Sequence, residues 1–233
     1  MRPLRGPLKP MSMRPTAAKP MNDDPADGLL IDGGDSAEWT LILAHGAGQG
    51  PRSPFMDAMT DRFVAAGLRV VRFRFPYMLR IEADQRRRPP DREPVLIQTW
   101  RRVIEAVAAP ADRLVIGGKS MGGRVASLVA DDAGVAGLVC LGCPFHTPGH
   151  GDRLKTGHLA HLRTPALICQ GERDPFGRRE EVVQYDLSPV IEVAWIGDGE
   201  HSFKPRQQSG RTLEQNLDQA AAAVVGFVGR LAV

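Results

Sequence analysis

The sequence predicts an α/β domain built on a doubly wound, mostly parallel sheet. Three observations lead there: short apolar runs alternate with helical stretches, the runs are continuous rather than alternating, and several end in glycine-rich loops. Continuous apolar runs belong to strands covered on both faces, and regular strand–helix alternation builds a parallel sheet. With 233 residues, 42% of them hydrophobic and 24% charged, the chain has an ordinary globular composition and can bury one substantial core.

Residues 1–25 are expected to form a poorly ordered tail ahead of a domain over 26–233. The first twenty are basic, hold five prolines and no acidic residue, and lack the apolar segment of a secretory signal. Met11, Met13 and Met21 could each begin the chain. Gly28 to Ile31 is a weak opening strand, and Trp39 to Ala44 (W-T-L-I-L-A) is the first strong one, ending in His45, Gly46, Ala47, Gly48, Gln49 and Gly50. Asp57 to Ala66 places Met59, Phe63 and Ala66 at helical spacing, with Gly67 as its C-terminal stop. Leu68 to Phe73 is the next strand, which suggests a strand–helix–strand crossover.

Phe75 to Glu93 breaks the rhythm. Pro76 is expected to halt regular structure, and Arg86, Arg87 and Arg88 run into Pro89 and Pro90. Two readings stand: a solvated connection, or a cationic rim near the site that would favour anionic substrates or a partner. Val95 to Ala108 follows as a helix, with Val95, Thr99, Arg102, Val103 and Ala106 on adjoining turns and Pro110 beyond its end.

Arg113 to Arg124 reads R-L-V-I-G-G-K-S-M-G-G-R. Leu114 to Ile116 form a strand, and Met121 to Ala130 a helix, with Ser120 on the turn between Gly118 and Gly122. This is G-x-S-x-G in strand–turn–helix context, a nucleophile elbow. The glycines remove side chains that would strike neighbouring backbone, and the helix N-terminus aims amides at the position where negative charge would develop.

Val135 to Leu141 is a further strand. The stretch Pro144 to His161 is expected to be a loop; it holds His146, His150, His158 and His161, which could touch substrate if the loop covers the site. Their spacing resembles zinc-ligand pairs, but no acidic or cysteine ligand accompanies them and no helix aligns them. Ala166 to Gly171 is a strand followed by Glu172, Arg173, Asp174 and Pro175. A short helix is expected over Arg178 to Tyr185, a strand over Ile191 to Ile196, a loop over Gly197 to Phe203, and a long helix over Arg211 to Leu231.

A serine hydroxyl needs an imidazole base, and the imidazole an orienting carboxylate, all brought to the carboxyl ends of parallel strands. Only His45 and His201 directly follow strong strands. His201, after the last strand, suits the base, whereas His45 sits inside a glycine turn and is read as shaping it. Asp174 is the expected acid, with Glu172 a less suitable substitute. Asp198 and Glu200 lie too near His201 along the chain to face its far nitrogen. Met121 would give one oxyanion amide and Ala47 the second, with Gly46 and Gly48 as competitors.

Charge and cysteine usage narrow the partners. A formal net charge of +3 gives no argument for nucleic acid. Cys140, Cys143 and Cys169 fall in or just after apolar strands and read as core residues of a reduced, cytoplasmic protein; the C-x-x-C pair ends a strand instead of opening a helix. No run reaches transmembrane length.

Taken with these motifs, the chain resembles the α/β-hydrolase superfamily, and within it the small dienelactone-hydrolase-like proteins. The nearer likeness is to a subgroup without an established substrate, related to the hydrolase-like domain of a subunit of an animal histone-acetylating complex. It spans roughly Gly28 to the C-terminus and rests on five ordered stretches. They are L-A-H-G-A-G-Q-G from Leu43, F-R-F-P-Y-M from Phe73 with R-R-R-P-P after it, G-G-K-S-M-G-G-R from Gly117, G-E-R-D-P from Gly171 and G-D-G-E-H-S-F from Gly197. The resemblance implies Ser120 as nucleophile, Asp174 as acid, His201 as base, Met121 and Ala47 as oxyanion donors, and a compact fold without a large cap domain. Ser120 replaces the nucleophilic cysteine of true dienelactone hydrolases. The activity expected is hydrolysis of a small ester, or a thioester, through an acyl-enzyme, with no metal or organic cofactor required. A non-catalytic interaction module on the same fold is the alternative, and a homodimer or protein partner is compatible with either.

Overall fold

The protein, seen in a computed structural model, is described over residues 28–232. The expected tail over 1–25 lies outside the described residues. Seven strands among them form one sheet: β1 (Leu30–Asp32), β2 (Thr40–Ala44), β3 (Arg69–Phe73), β4 (Leu114–Lys119), β5 (Gly137–Leu141), β6 (Ala166–Gly171) and β7 (Ile191–Ile196). Their spatial order is β1-β3-β2-β4-β5-β6-β7, with β1 antiparallel to β3 and every other pairing parallel. The strands β2, β4, β5 and β6 are buried at every position, as continuous apolar runs require.

Helices α1 (Pro54–Ala65) and α7 (Leu213–Arg230) cover one face, and α3 (Glu93–Val107) and α4 (Met121–Ser127) the other. Phe63, Leu217, Val224 and Phe227 meet Leu41, Val115 and Val139 on the first side, while Trp100, Val103, Val125 and Val129 meet Ile42, Ile116 and Phe73 on the second. Side-chain caps fix where α1 and α7 begin. Ser53 Oγ accepts from the Met56 amide at 3.4 Å, and Thr212 and Gln215 exchange side chain–backbone bonds at 3.2 and 2.9 Å.

Four expectations change. Phe75 to Glu93 is not an unbroken connection: helix α2 (Pro76–Asp84) begins at the proline expected to prevent it. The first helical position needs no N–H, and the fixed φ of proline suits it. Tyr77 and Met78 are buried there, and the Tyr77 amide donates to Asp91 Oδ2 at 2.8 Å. The buried stripe of α3 is Leu96, Thr99, Trp100 and Val103; Val95 is 43% exposed, and Arg102 and Ala106 face solvent. The helix expected over Met121 to Ala130 divides into α4 and a single turn, α5 (Ala130–Ala133). Finally, the helix over Arg178 to Tyr185 contracts to α6 (Arg179–Val182).

Between β5 and β6 the chain makes only a 3-10 turn at Gly157–His161, so among the described residues no cap domain is inserted there. No described helix is long and apolar enough to cross a membrane.

Candidate active site

The site grows from the end of β4. Ser120 has φ 52° and ψ −119°, a left-handed conformation costly for a residue with a side chain, and it stands as N-cap of α4. The turn fits only because its flanks are bare. A Cβ at Gly118 would lie 2.3 Å from the Ala44 carbonyl oxygen, and one at Gly122 would lie 2.5 Å from the same oxygen and 2.7 Å from that of His45. These neighbours are backbone of buried strands and cannot swing away. Gly122→Ala is therefore expected to lower unfolding free energy by about 1–3 kcal/mol, as overpacking does, and to displace Ser120; urea unfolding of the variant measures the first effect.

Two loops from other strands converge on Ser120. His201, in the loop after β7, has Nε2 2.8 Å from Ser120 Oγ and Nδ1 2.8 Å from Asp174 Oδ2, in the loop after β6. Asp174 is fully buried. Its Oδ2 also accepts from Gln170 Nε2 at 3.0 Å, and its Oδ1 from the Phe176 amide at 2.9 Å. A carboxylate that accepts at Nδ1 puts the ring proton on that nitrogen, leaving Nε2 to accept from the serine hydroxyl. Phe176 leans over the imidazole with ring centroids 4.4 Å apart. The arrangement can move a proton from Ser120 to His201 and stabilise the resulting imidazolium against Asp174.

The other carboxylates are occupied elsewhere. Glu172 bonds Arg179 at 2.8 Å and the Asp198 amide at 2.9 Å; Asp198 pairs with Arg173 and Arg206; Glu200 accepts from the Ser202 and Lys204 amides.

Ala47 lies on the turn after β2, facing Ser120 across a cleft of about 270 Å³ whose wall also includes Gly46, Gly48, Phe55, Phe176 and His201. Met121 is the first residue of α4. Among the described residues neither the Ala47 nor the Met121 amide is spent on a backbone hydrogen bond. Tyr77 was not singled out from sequence, yet its hydroxyl reaches the carbonyl oxygens of Gly46 and Ala47 at 3.2 and 3.1 Å. Those carbonyls are thereby held toward α2. His45 braces the same turn. Its Nδ1 donates to the Gly46 carbonyl at 2.8 Å and its Nε2 accepts from the Phe75 amide at 3.2 Å.

His45 has no solvent exposure, and burial pushes its pKa down from 6.5 to about 4. Above pH 6.5 the ring is neutral in both folded and unfolded chains. Between pH 6.5 and about 4 the unfolded chain binds a proton that the folded chain refuses, so stability falls as pH drops through that window. A loss approaching about 3 kcal/mol is expected from this residue at the acid end. Urea midpoints measured from pH 7.5 to 4.5 check it, with His45→Gln flattening the profile.

The four loop histidines do not join the site: none lines the cleft. His146 is buried, bonding the Thr147 carbonyl at 2.9 Å with Glu181 3.4 Å from its other nitrogen. His158 Nε2 lies 2.8 Å from Ser127 Oγ, whose hydroxyl also reaches the Arg124 carbonyl at 2.7 Å. That serine is buried inside α4. Arg88 of the basic run bonds Asp84 at 2.7 Å, and none of Arg86, Arg87 or Arg88 reaches the cleft wall. Cys140, Cys143 and Cys169 are buried and free.

A family model described as "Alpha/beta hydrolase domain" matches residues 37–229. No curated protein is significantly similar in sequence. Solved structures with the same fold include an alpha-beta serine hydrolase homologue from Coxiella burnetii, with TM-score 0.64, 21% identity, and 84% of this chain and 90% of that one covered. A dienelactone hydrolase from Anabaena variabilis gives TM-score 0.64 at 19% identity, over 87% and 90% of the two chains. A serine hydrolase described as lacking a lid, from Xanthomonas campestris, gives TM-score 0.59 at 18% identity, over 84% and 88%.

Proposed function

Because the chain belongs to the alpha/beta hydrolase domain family, we propose that it is a serine hydrolase that cleaves a small carboxylic ester through an acyl-enzyme on Ser120. The observation that carries this reading is the unbroken hydrogen-bond path Asp174–His201–Ser120, with both steps at 2.8 Å, opening into the cleft. His201 Nε2 takes the hydroxyl proton as Ser120 Oγ attacks the ester carbonyl. The amides of Ala47 and Met121 receive the oxyanion of the tetrahedral intermediate. As that intermediate collapses, His201 returns the proton to the leaving alkoxide. Water then repeats the sequence on the acyl-enzyme and frees the acid.

A cleft of about 270 Å³ stands at the small end of ligand sites, which run from about 300 to 1,000 Å³, and it suits short acyl groups. Three buried free thiols favour a reduced compartment such as the cytoplasm. The narrower kinship with hydrolase-like domains of histone-acetylating complexes is carried by the sequence motifs and belongs to the same proposal. The test is a release assay on p-nitrophenyl and thioester acyl chains from acetate to octanoate. Turnover highest on the shorter chains is expected. No turnover on any member, with no labelling of Ser120 by a fluorophosphonate, would favour the interaction module.

A further inference from the structure

One charged side chain in the wall of the cleft has no task in this mechanism. Lys119, the last residue of β4, is only 8% exposed. Its stem passes the turn after β2, where a methyl at position 46 would touch its Cγ at 3.6 Å, and its ammonium stands 5.4 Å from the Phe55 ring centroid. The ammonium does not point at an empty subsite. Lys119 Nζ donates to the backbone carbonyl of His201 at 2.6 Å.

We propose that Lys119 is a positioning residue for His201: its ammonium ties the loop that carries the base to the strand end that carries Ser120. The inference rests on the reading of Ser120 and His201 given above.

Four observations support it. Adjacent residues of one strand end hold His201 at two points, Ser120 through the ring and Lys119 through the carbonyl. The loop itself comes from β7, three places along the sheet from β4, so among the described residues its hydrogen-bonded link to the end of β4 would rest, without the tie, on the His201–Ser120 bond alone. Room for the tie exists only because position 142 is bare. A Cβ at Gly142 would lie 2.7 Å from the His201 carbonyl oxygen and 2.9 Å from Lys119 Nζ. Lastly, a buried ammonium is costly unless it is matched, and the groups facing this one match it. Asp174 after β6, Glu200 beside His201 and the Cys143 thiol after β5 all favour its charge, while burial opposes it more strongly and brings its pKa down to about 8. Below that pH the tie is a charge-assisted bond, and above it a weaker neutral one.

The test compares the wild type with Lys119→Met, Lys119→Arg and Gly142→Ala. The rate of fluorophosphonate labelling of Ser120 is followed by intact mass from about pH 6 to 10, and the His201 carbonyl carbon by NMR. In Lys119→Met, kinact is expected to fall at least about tenfold near pH 7.5, with KI little changed, because misplacing a base impairs the chemical step rather than encounter. Gly142→Ala should share this split. Lys119→Arg, whose guanidinium keeps its charge, should recover part of the rate and lose the decline that the wild type shows above about pH 8. Wild-type rate and pH profile in Lys119→Met would overturn the proposal. Should that variant fail to fold, an unchanged alkaline decline in Lys119→Arg does so. If the wild type itself is not labelled, the serine-hydrolase reading fails and the carbonyl signal decides the tie separately. A shift with midpoint near pH 8 in the wild type but not in Lys119→Arg sustains it, and a signal indifferent to pH rejects it.

Discussion

Ser120→Ala is expected to lower kcat on a p-nitrophenyl ester by roughly a millionfold, the scale on which removing a nucleophile from a serine–histidine pair acts. The variant keeps a Cβ in the strained turn, so the backbone cost at φ 52° is unchanged and the fold should be retained. What disappears is the one oxygen 2.8 Å from His201 Nε2. That nitrogen belongs to a side chain 19% exposed, so water can take the vacated place and the melting temperature should move little. Steady-state kinetics and a thermal melt on the same sample separate the two effects. Turnover within tenfold of wild type would place the chemistry on another residue.

Asp174→Asn should cost about ten-thousandfold in kcat, through the tautomer of a neighbour rather than through charge alone. Three donors converge on the Asp174 carboxylate: His201 Nδ1, Gln170 Nε2 and the Phe176 amide. An asparagine must turn its NH2 toward some of them. Facing Phe176, it sets donor against donor in a site with no solvent. Facing His201, it requires Nδ1 to accept, moving the ring proton to Nε2, where the imidazole can no longer take the serine proton. The first orientation keeps the tautomer but clashes with the Phe176 donor and leaves the imidazolium without its counter-charge, and the second removes the base. A kcat loss with nearly unchanged KM, together with loss of the downfield Nδ1–H proton signal, is the expected outcome; a purely structural role for Asp174 would show as a loss of folded protein instead.

The sheet and the three loops that carry Ser120, Asp174 and His201 were legible because each leaves a local mark. Apolar runs such as A-L-I-C-Q-G mark buried strands, and glycines flanking a serine mark a turn whose steric need is written in adjacent letters. Helix α2 was missed for a local reason as well: Pro76 reads as a stop unless the helix is known to begin there. The remaining site residues left no such mark. Lys119, Gln170 and Tyr77 act through contacts with residues 82, 27 and 31 positions away or fewer. A lysine before a serine, or a glutamine closing a strand, has no periodicity that announces its partner. The loop histidines misled for the opposite reason, since four in one stretch suggest a function while His146 is spent on the carbonyl of its neighbour Thr147 and His158 on Ser127 of α4.

The position of β7 has a consequence for how the protein loses activity. Among the described residues it is the last strand of the sheet, paired only with β6, while Ser120 follows β4 near the middle. Strands at a margin exchange their amide hydrogens through smaller openings than those at the centre. On the proposed mechanism, the nucleophile Ser120 follows a central strand and its base His201 a marginal one, so the first is expected to be better protected than the second. In a denaturant titration of a Trp195→Phe background, since Trp195 lies on β7 itself, hydrolysis should fade before the fluorescence of the buried Trp39 and Trp100, and amide exchange should be faster along β7 than along β4. Dissolution of the active constellation is then a subglobal event, with the core still standing after the base has left.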